Sequence, residues 1–273
     1  MTTHQTTGFT IEPYPGLPLT VRDVGAGRPV LVLHGGGGPA SVAGIVDHFA
    51  ATSRVLAPTH PGWEDTPRPE WFSDVGDLVE TYLDLLDDRD LRDVLVVGAS
   101  FGGWVAAEMT VRDRARRIGG LVVMGAFGPH IEGHEVRFPT APPGPPSGSP
   151  SGPPSGPPSG QGSGASAPAP ASAPAPAPRR GPSPAALQAM VAYAGPTRSD
   201  KKLLHRLARV SVPALAVWGE QDTAVPPDFG RAYAAAIPGA RFELIPGAGH
   251  IPTREAPEAT FAAIDAFAAA ILR

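Results

Sequence analysis

Apolar residues along this chain follow two rhythms that alternate. Short runs rich in aliphatic and β-branched residues stand at 30–33, 54–58, 94–97, 121–124, 214–218 and 241–245. A strand covered on both faces reads this way. Between these runs the apolar positions recur at helical spacing, at about 41–51, 73–87, 104–109, 227–237 and 257–272. The clearest stripe is Val75, Leu78, Val79, Tyr82, Leu83 and Leu86, with Ser73 as its expected N-cap. Such alternation predicts a parallel sheet with right-handed crossovers. Ahead of it, Phe9–Tyr14 and Leu19–Val24 read as two antiparallel edge strands around the turn Pro15-Gly16, where Pro13 and Pro18 are tolerated. Two more helices are expected at 183–194 and 198–210.

The pattern stops between Pro139 and Pro184, a stretch of 46 residues with 17 prolines and 8 glycines. It holds two charges, Arg179 and Arg180, and no large apolar side chain. With nothing to bury, it cannot offset the entropy of ordering, so it reads as disordered. Its Pro-Pro-Ser-Gly near-repeats have period four, which excludes collagen, and the later Ala-Pro alternation favours extended polyproline II. The chain therefore divides at 1–128, 129–210 and 211–273 into two halves of one core and an intervening region.

A net charge of −4 with interspersed signs offers no basic field for nucleic acid or an anionic membrane. The absence of cysteine excludes disulfides and thiolate metal sites and suits a reducing, cytoplasmic setting. Met1 to Gly8 is polar, unlike a secretory leader, and no uninterrupted apolar stretch would span a bilayer. The 20 arginines against two lysines read as codon bias.

The chemistry concentrates where Val94–Val97 drops into Gly98-Ala99-Ser100-Phe101-Gly102-Gly103 and then into Trp104–Met109. Strand, Gly-x-Ser-x-Gly and helix together are the context of a nucleophile elbow. The glycines let strand and helix approach closely, Ser100 is held out at the tip, and the Phe101 amide can face a developing oxyanion. A second Gly-rich turn, His34-Gly35-Gly36-Gly37-Gly38, also follows a strand and precedes a helix. Its amides can approach a substrate oxygen, although a merely flexible connection is the plainer alternative.

These turns and the strand order resemble the α/β-hydrolase fold family over nearly the whole chain outside 139–184. The resemblance implies a mostly parallel, doubly wound sheet of about eight strands. Gly219–Pro226 is similar to that family's acid loop and Pro246–His250 to its histidine loop. It implies Ser100 as nucleophile, His250 as base and Asp222 as the acid, with Glu220 as the nearest rival. By the same resemblance Gly36 joins Phe101 as oxyanion donor; His34, Gly35, Trp63 and Phe127 are the candidate pocket residues. Ser at position 100 speaks against the branches that use a carboxylate nucleophile, the haloalkane dehalogenases and epoxide hydrolases. A reduced helical cap at about 183–210 is expected, because 139–184 stands where the family usually builds its cap.

The implied activity is hydrolysis of a small, mostly apolar ester, without metal or cofactor. Hydrolysis of a carbon–carbon bond is the alternative, because the Gly-rich loop resembles that of the meta-cleavage-product hydrolases. A slow-turnover ligand sensor and an adaptor docking partners on the Pro-rich stretch are further classes. His34 and His60 read as loop supports, and His130 and His134 lack a third metal ligand. Trp63, Trp71, Trp104, Phe127 and Trp218 read mainly as core, and Phe101 as the aromatic nearest substrate.

One prediction follows from composition alone. Replacing 139–184 with a short Gly-Ser linker is expected to leave the melting temperature nearly unchanged, since loop closure varies by only about 0.6 kcal/mol per doubling of length. Loss of cooperative thermal unfolding would overturn it.

Overall fold

The computed structural model describes residues 7–137 and 183–271. Among them are eight strands: β1 (Thr7–Tyr14), β2 (Leu17–Val24), β3 (Pro29–Leu33), β4 (Arg54–Pro58), β5 (Val94–Ala99), β6 (Ile118–Met124), β7 (Ala214–Gly219) and β8 (Arg241–Ile245). They form one sheet in the order β1-β2-β4-β3-β5-β6-β7-β8. Pairing is antiparallel for β1 with β2 and β2 with β4, and parallel from β3 onward. The disordered reading of 139–184 falls almost wholly outside the described residues.

Period-two alternation explains how the parallel strands are buried on both sides. Leu31, Leu33, Val94, Val96, Leu121, Val123 and Ala216 point into one layer, and Val30, Val32, Leu95, Val97, Val122 and Val217 into the other. Helices α2 (Val75–Asp88), α3 (Phe101–Arg112) and α6 (Pro227–Ala235) contribute to the first layer. Helices α1 (Ala43–Ala50) and α8 (Pro257–Ile271) contribute to the second. The first layer also takes up α4 (Pro184–Ala194), through Ala186, Ala189, Met190 and Tyr193. None of the described helices is long and apolar enough to cross a membrane.

Four details depart from the sequence reading. First, β2 is interior, with β1 alone at that edge. Pro18 is tolerated there because β4 pairs only with Val21–Val24, and a bulge in β1 between Ile11 and Tyr14 faces the proline end. Second, the helix expected at 198–210 shrinks to α5 (Leu203–Arg206) and a 3-10 turn, Leu207–Arg209. Arg198 turns at φ 49°, and the Asp200 carboxylate accepts the Lys202 amide, so helical pairing starts only beyond it. Third, Trp71 is not core but 55% exposed, with its ring edge-on to Tyr14.

Fourth, Asp74 rather than Ser73 caps α2. Its side chain accepts the Asp77 amide at 3.1 Å while the Asp77 carboxylate accepts the Asp74 amide at 3.0 Å. That reciprocal box satisfies two amides that a helix start leaves unpaired. Asp74→Ala should therefore cost about 1 kcal/mol of stability and Ser73→Ala close to nothing. Urea unfolding of the two variants checks this, and the reverse ranking would refute the cap assignment.

Candidate active site

The serine turn is built by close backbone contact. A Cβ on Gly98 would lie 2.3 Å from the Gly102 carbonyl oxygen, and one on Gly102 would lie 2.2 Å from that of Leu33. Only glycine fits at either position, so β5 and α3 meet without a spacer. Between them Ser100 adopts φ 51°, ψ −117°, a conformation that costs a side-chain-bearing residue on the order of 1–3 kcal/mol. The Ser100 amide donates to the Met124 carbonyl at 2.8 Å, which ties the turn to β6. As the first residue of α3, Phe101 has an amide with no acceptor inside the helix.

The loops after β7 and β8 close on this turn by the same device. A Cβ on Gly219 would lie 2.0 Å from the Gly249 carbonyl oxygen. Asp222, 3% exposed, accepts the amides of Ala224 and Val225 on Oδ1, each at 2.9 Å. Its Oδ2 lies 2.8 Å from His250 Nδ1, and His250 Nε2 lies 3.0 Å from Ser100 Oγ. With Asp222 accepting at every contact, Nδ1 carries the imidazole proton and Nε2 is free to receive one from the serine hydroxyl. Glu220 faces elsewhere: its carboxylate accepts the Gly247 amide at 3.0 Å.

The Gly-rich turn after β3 lies directly against the serine. A Cβ on Gly35 would sit 2.9 Å from the Ser100 Cβ. The indole Nε1–H of Trp63 donates to the Gly36 carbonyl at 3.1 Å and so orients the peptide beyond it. Met190 of α4 touches this turn from outside, its Sδ 3.2 Å from where a Gly36 Cβ would be. The four glycines are thus a close-fitting structure rather than a slack connection.

Beneath the turn lies a fully buried pair of histidines. His34 Nδ1–H donates to the Gly35 carbonyl at 2.8 Å, and His34 Nε2 accepts the His60 amide at 3.0 Å. His60 Nε2–H donates to the His34 carbonyl at 2.9 Å, and its Nδ1 accepts from the Tyr82 hydroxyl. Burial lowers the His34 pKa to about 4. It pushes His60 well below its ordinary value, with the neighbouring His34 adding to the shift. Both rings are neutral supports and face each other rather than a substrate.

Of the expected pocket residues, Gly35 borders the serine, whereas Trp63, Phe127 and His34 are 1–2% exposed. The Phe101 ring is also core, at 0% exposure, in a mutually packed trio with Trp63 and Tyr193 at centroid distances of 5.9 and 6.0 Å. Its side chain therefore supports the turn from behind. Met190, Tyr193 and Tyr82 escaped the sequence reading because they lie on helical stripes that any packed helix would show. Among the described residues, no group of three or more His, Asp or Glu side chains could hold a metal ion.

The model of the Alpha/beta hydrolase family matches residues 30–264. The chain belongs to that family. A 2-hydroxy-6-oxo-2,4-heptadienoate hydrolase of Pseudomonas putida is 36% identical over 124 residues, 43% of this chain and 44% of that enzyme. A 2-hydroxymuconate semialdehyde hydrolase of a Pseudomonas species is 33% identical over 41% of each chain. The matched segment thus spans less than half the length of either relative. Among solved structures, a bromoperoxidase from Bacillus anthracis superposes with a TM-score of 0.68 at 18% identity, covering 96% of this chain and 99% of that one. A meta-cleavage product hydrolase from Pseudomonas fluorescens IP01 gives 0.64 at 17%, covering 95% and 97%.

The histidine pair predicts how this α/β hydrolase responds to acid. In the unfolded chain a histidine binds a proton below about 6.5, whereas folded His34 stays neutral down to about 4. Between those values the unfolded state holds the extra proton, so stability falls as pH drops, by about 1.4 kcal/mol per pH unit for each such histidine. Urea unfolding at pH 7 and pH 5 should show this loss, and His34→Gln should flatten the slope. Equal stability at both pH values would contradict the buried neutral pair.

Proposed function

We propose that this chain is a serine hydrolase acting on a small, mostly apolar carboxylic ester. The observation that carries the reading is the hydrogen-bonded line from Asp222 through His250 to Ser100, with the serine at the tip of a strained turn. His250 Nε2 takes the hydroxyl proton as Ser100 Oγ bonds to the ester carbonyl carbon. The amides of Phe101 and Gly36 stabilise the resulting oxyanion. The alcohol departs with the proton from His250, which leaves an acyl-enzyme. Water then repeats the cycle, releasing the acid and restoring Ser100. Asp222 holds the Nδ1–H tautomer and stabilises the imidazolium throughout.

A second reading, hydrolysis of a carbon–carbon bond, is favoured by the curated relatives named for meta-cleavage products. The ester reading is supported by the surroundings of the serine turn. Met190, which meets the Gly-rich turn beside the serine, is apolar, and the aromatic core of Trp63, Phe101 and Phe127 lies behind that turn. The nearby His34 and His60 have both ring nitrogens engaged by protein groups.

Parallel assays separate the two, one following nitrophenyl acetate to octanoate, the other the loss of colour of a 2-hydroxy-6-oxodienoate. Short esters should turn over faster, with Ser100 labelled by a fluorophosphonate. Ser100→Ala should lower kcat by about a million-fold and Asp222→Asn by about ten-thousand-fold. Retained turnover in Ser100→Ala would sink the nucleophile assignment, and a clear preference for the dienoate would select the second reading.

A further inference from the structure

The ring of His250 is held by Asp222, but its backbone is held by a different carboxylate. Glu255 is the exposed last residue of α7 (Pro252–Glu255), the turn following the histidine loop. Its Oε2 accepts the Gly249 amide at 2.7 Å and its Oε1 accepts the Ile251 amide at 3.2 Å. Those residues flank His250 on either side. Gly249 admits this contact because it has no side chain, since a Cβ there would lie 2.8 Å from Oε2. The Ile251 carbonyl in turn accepts the Glu255 amide at 3.2 Å, so loop and turn close into one hydrogen-bonded ring. Hydrogen bonds to an ionised carboxylate are shorter and stronger than neutral ones.

We infer that Glu255 is a positioning residue: by clamping the amides on both sides of His250, it keeps the imidazole in line between Asp222 and Ser100. This rests on the reading of Ser100 as nucleophile and His250 as its base. Glu255 need not touch substrate to act. Its leverage is geometric, because a base displaced by a fraction of an ångström no longer meets the serine proton in line. The rest of the loop is anchored without it. Pro252 and Thr253 are buried, the Ala256 amide donates to the Pro252 carbonyl at 2.8 Å, and Glu220 holds Gly247. Removing the exposed carboxylate therefore frees the two amides to water and loosens His250 while α7 and the fold persist.

The test measures kcat and KM for ester hydrolysis in E255A and E255Q, each made in the unaltered chain and in the His250→Ala background. In the unaltered background E255A should lower kcat by roughly 10- to 100-fold with KM within about two-fold. E255Q should fall between, because its amide oxygen can accept only one of the two N–H groups while its NH2 cannot accept the other. In the His250→Ala background neither change should lower the residual turnover further, since the clamp acts only through the imidazole. Equal losses in both backgrounds, or a loss confined to KM, would overturn the proposal. If E255A does not fold, E255Q carries the same comparison. Fluorophosphonate labelling keeps the two readings apart. Labelling of Ser100 at the same rate in E255A and the unaltered chain overturns the clamp alone, whereas no labelling of the unaltered chain overturns both.

Discussion

Where α3 leaves β5 and passes β3, three backbones come too close for any side chain between them. The Leu33 carbonyl oxygen stands 2.2 Å from where a Gly102 Cβ would be, and the Gly102 carbonyl 2.3 Å from that of Gly98. This contact fixes the distance from the Gly-rich turn to the serine, and it holds Ser100 at a positive φ that no isolated turn would keep. The strain persists because the strands around it are locked from both faces. Val96 and Val97 are each completely buried, one in each layer. The same geometry recurs where Gly219 meets Gly249, so the acid and histidine loops are brought together by missing side chains too.

Around those contacts, polar groups are committed to structural duty one by one. Asp222 Oδ1 takes two amides and leaves Oδ2 for His250. Glu220 and Glu255 take the amides of the histidine loop. The pair His34 and His60 fills its own hydrogen-bonding capacity with Gly35, Tyr82 and each other's backbone. A further buried carboxylate, Glu108 on α3, meets Arg112 and Arg206 and so joins the helix behind the serine to the segment after α4. Burial raises the Glu108 pKa, and the two guanidinium groups oppose that shift.

Most of the fold was legible because parallel strands covered on both faces leave an unmistakable apolar signature, and Val94–Val97 is the plainest case. The serine turn was legible for a related reason. Close backbone approach demands glycine at fixed offsets, and glycine is visible in a sequence. What stayed hidden was decided by contacts distant in the chain. Whether β2 lies at an edge depends on β4 finding it, and its own residues do not encode that. Ser73 and Asp74 are equally good caps on paper, and the choice falls to whichever side chain reaches Asp77. Phe101 looked like a substrate contact by adjacency, but its ring is packed into an aromatic cluster with Trp63 and Tyr193 and is fully buried. Glu255 carries no motif at all, because its role lies in a hydrogen-bond count that only coordinates reveal.

The line of hydrogen bonds joins residues 28 and 150 positions apart in the chain. Contacts so remote are met only after both halves of the sheet have docked. An ordinary serine hydroxyl is a poor nucleophile, so a chain with its two halves apart is chemically inert however much local structure it has formed. Under the proposed mechanism, reactivity at position 100 is thus a gauge of completed topology. A half-assembled molecule lacks the line from Asp222 to Ser100, and with it the activation of the serine that the proposed mechanism requires.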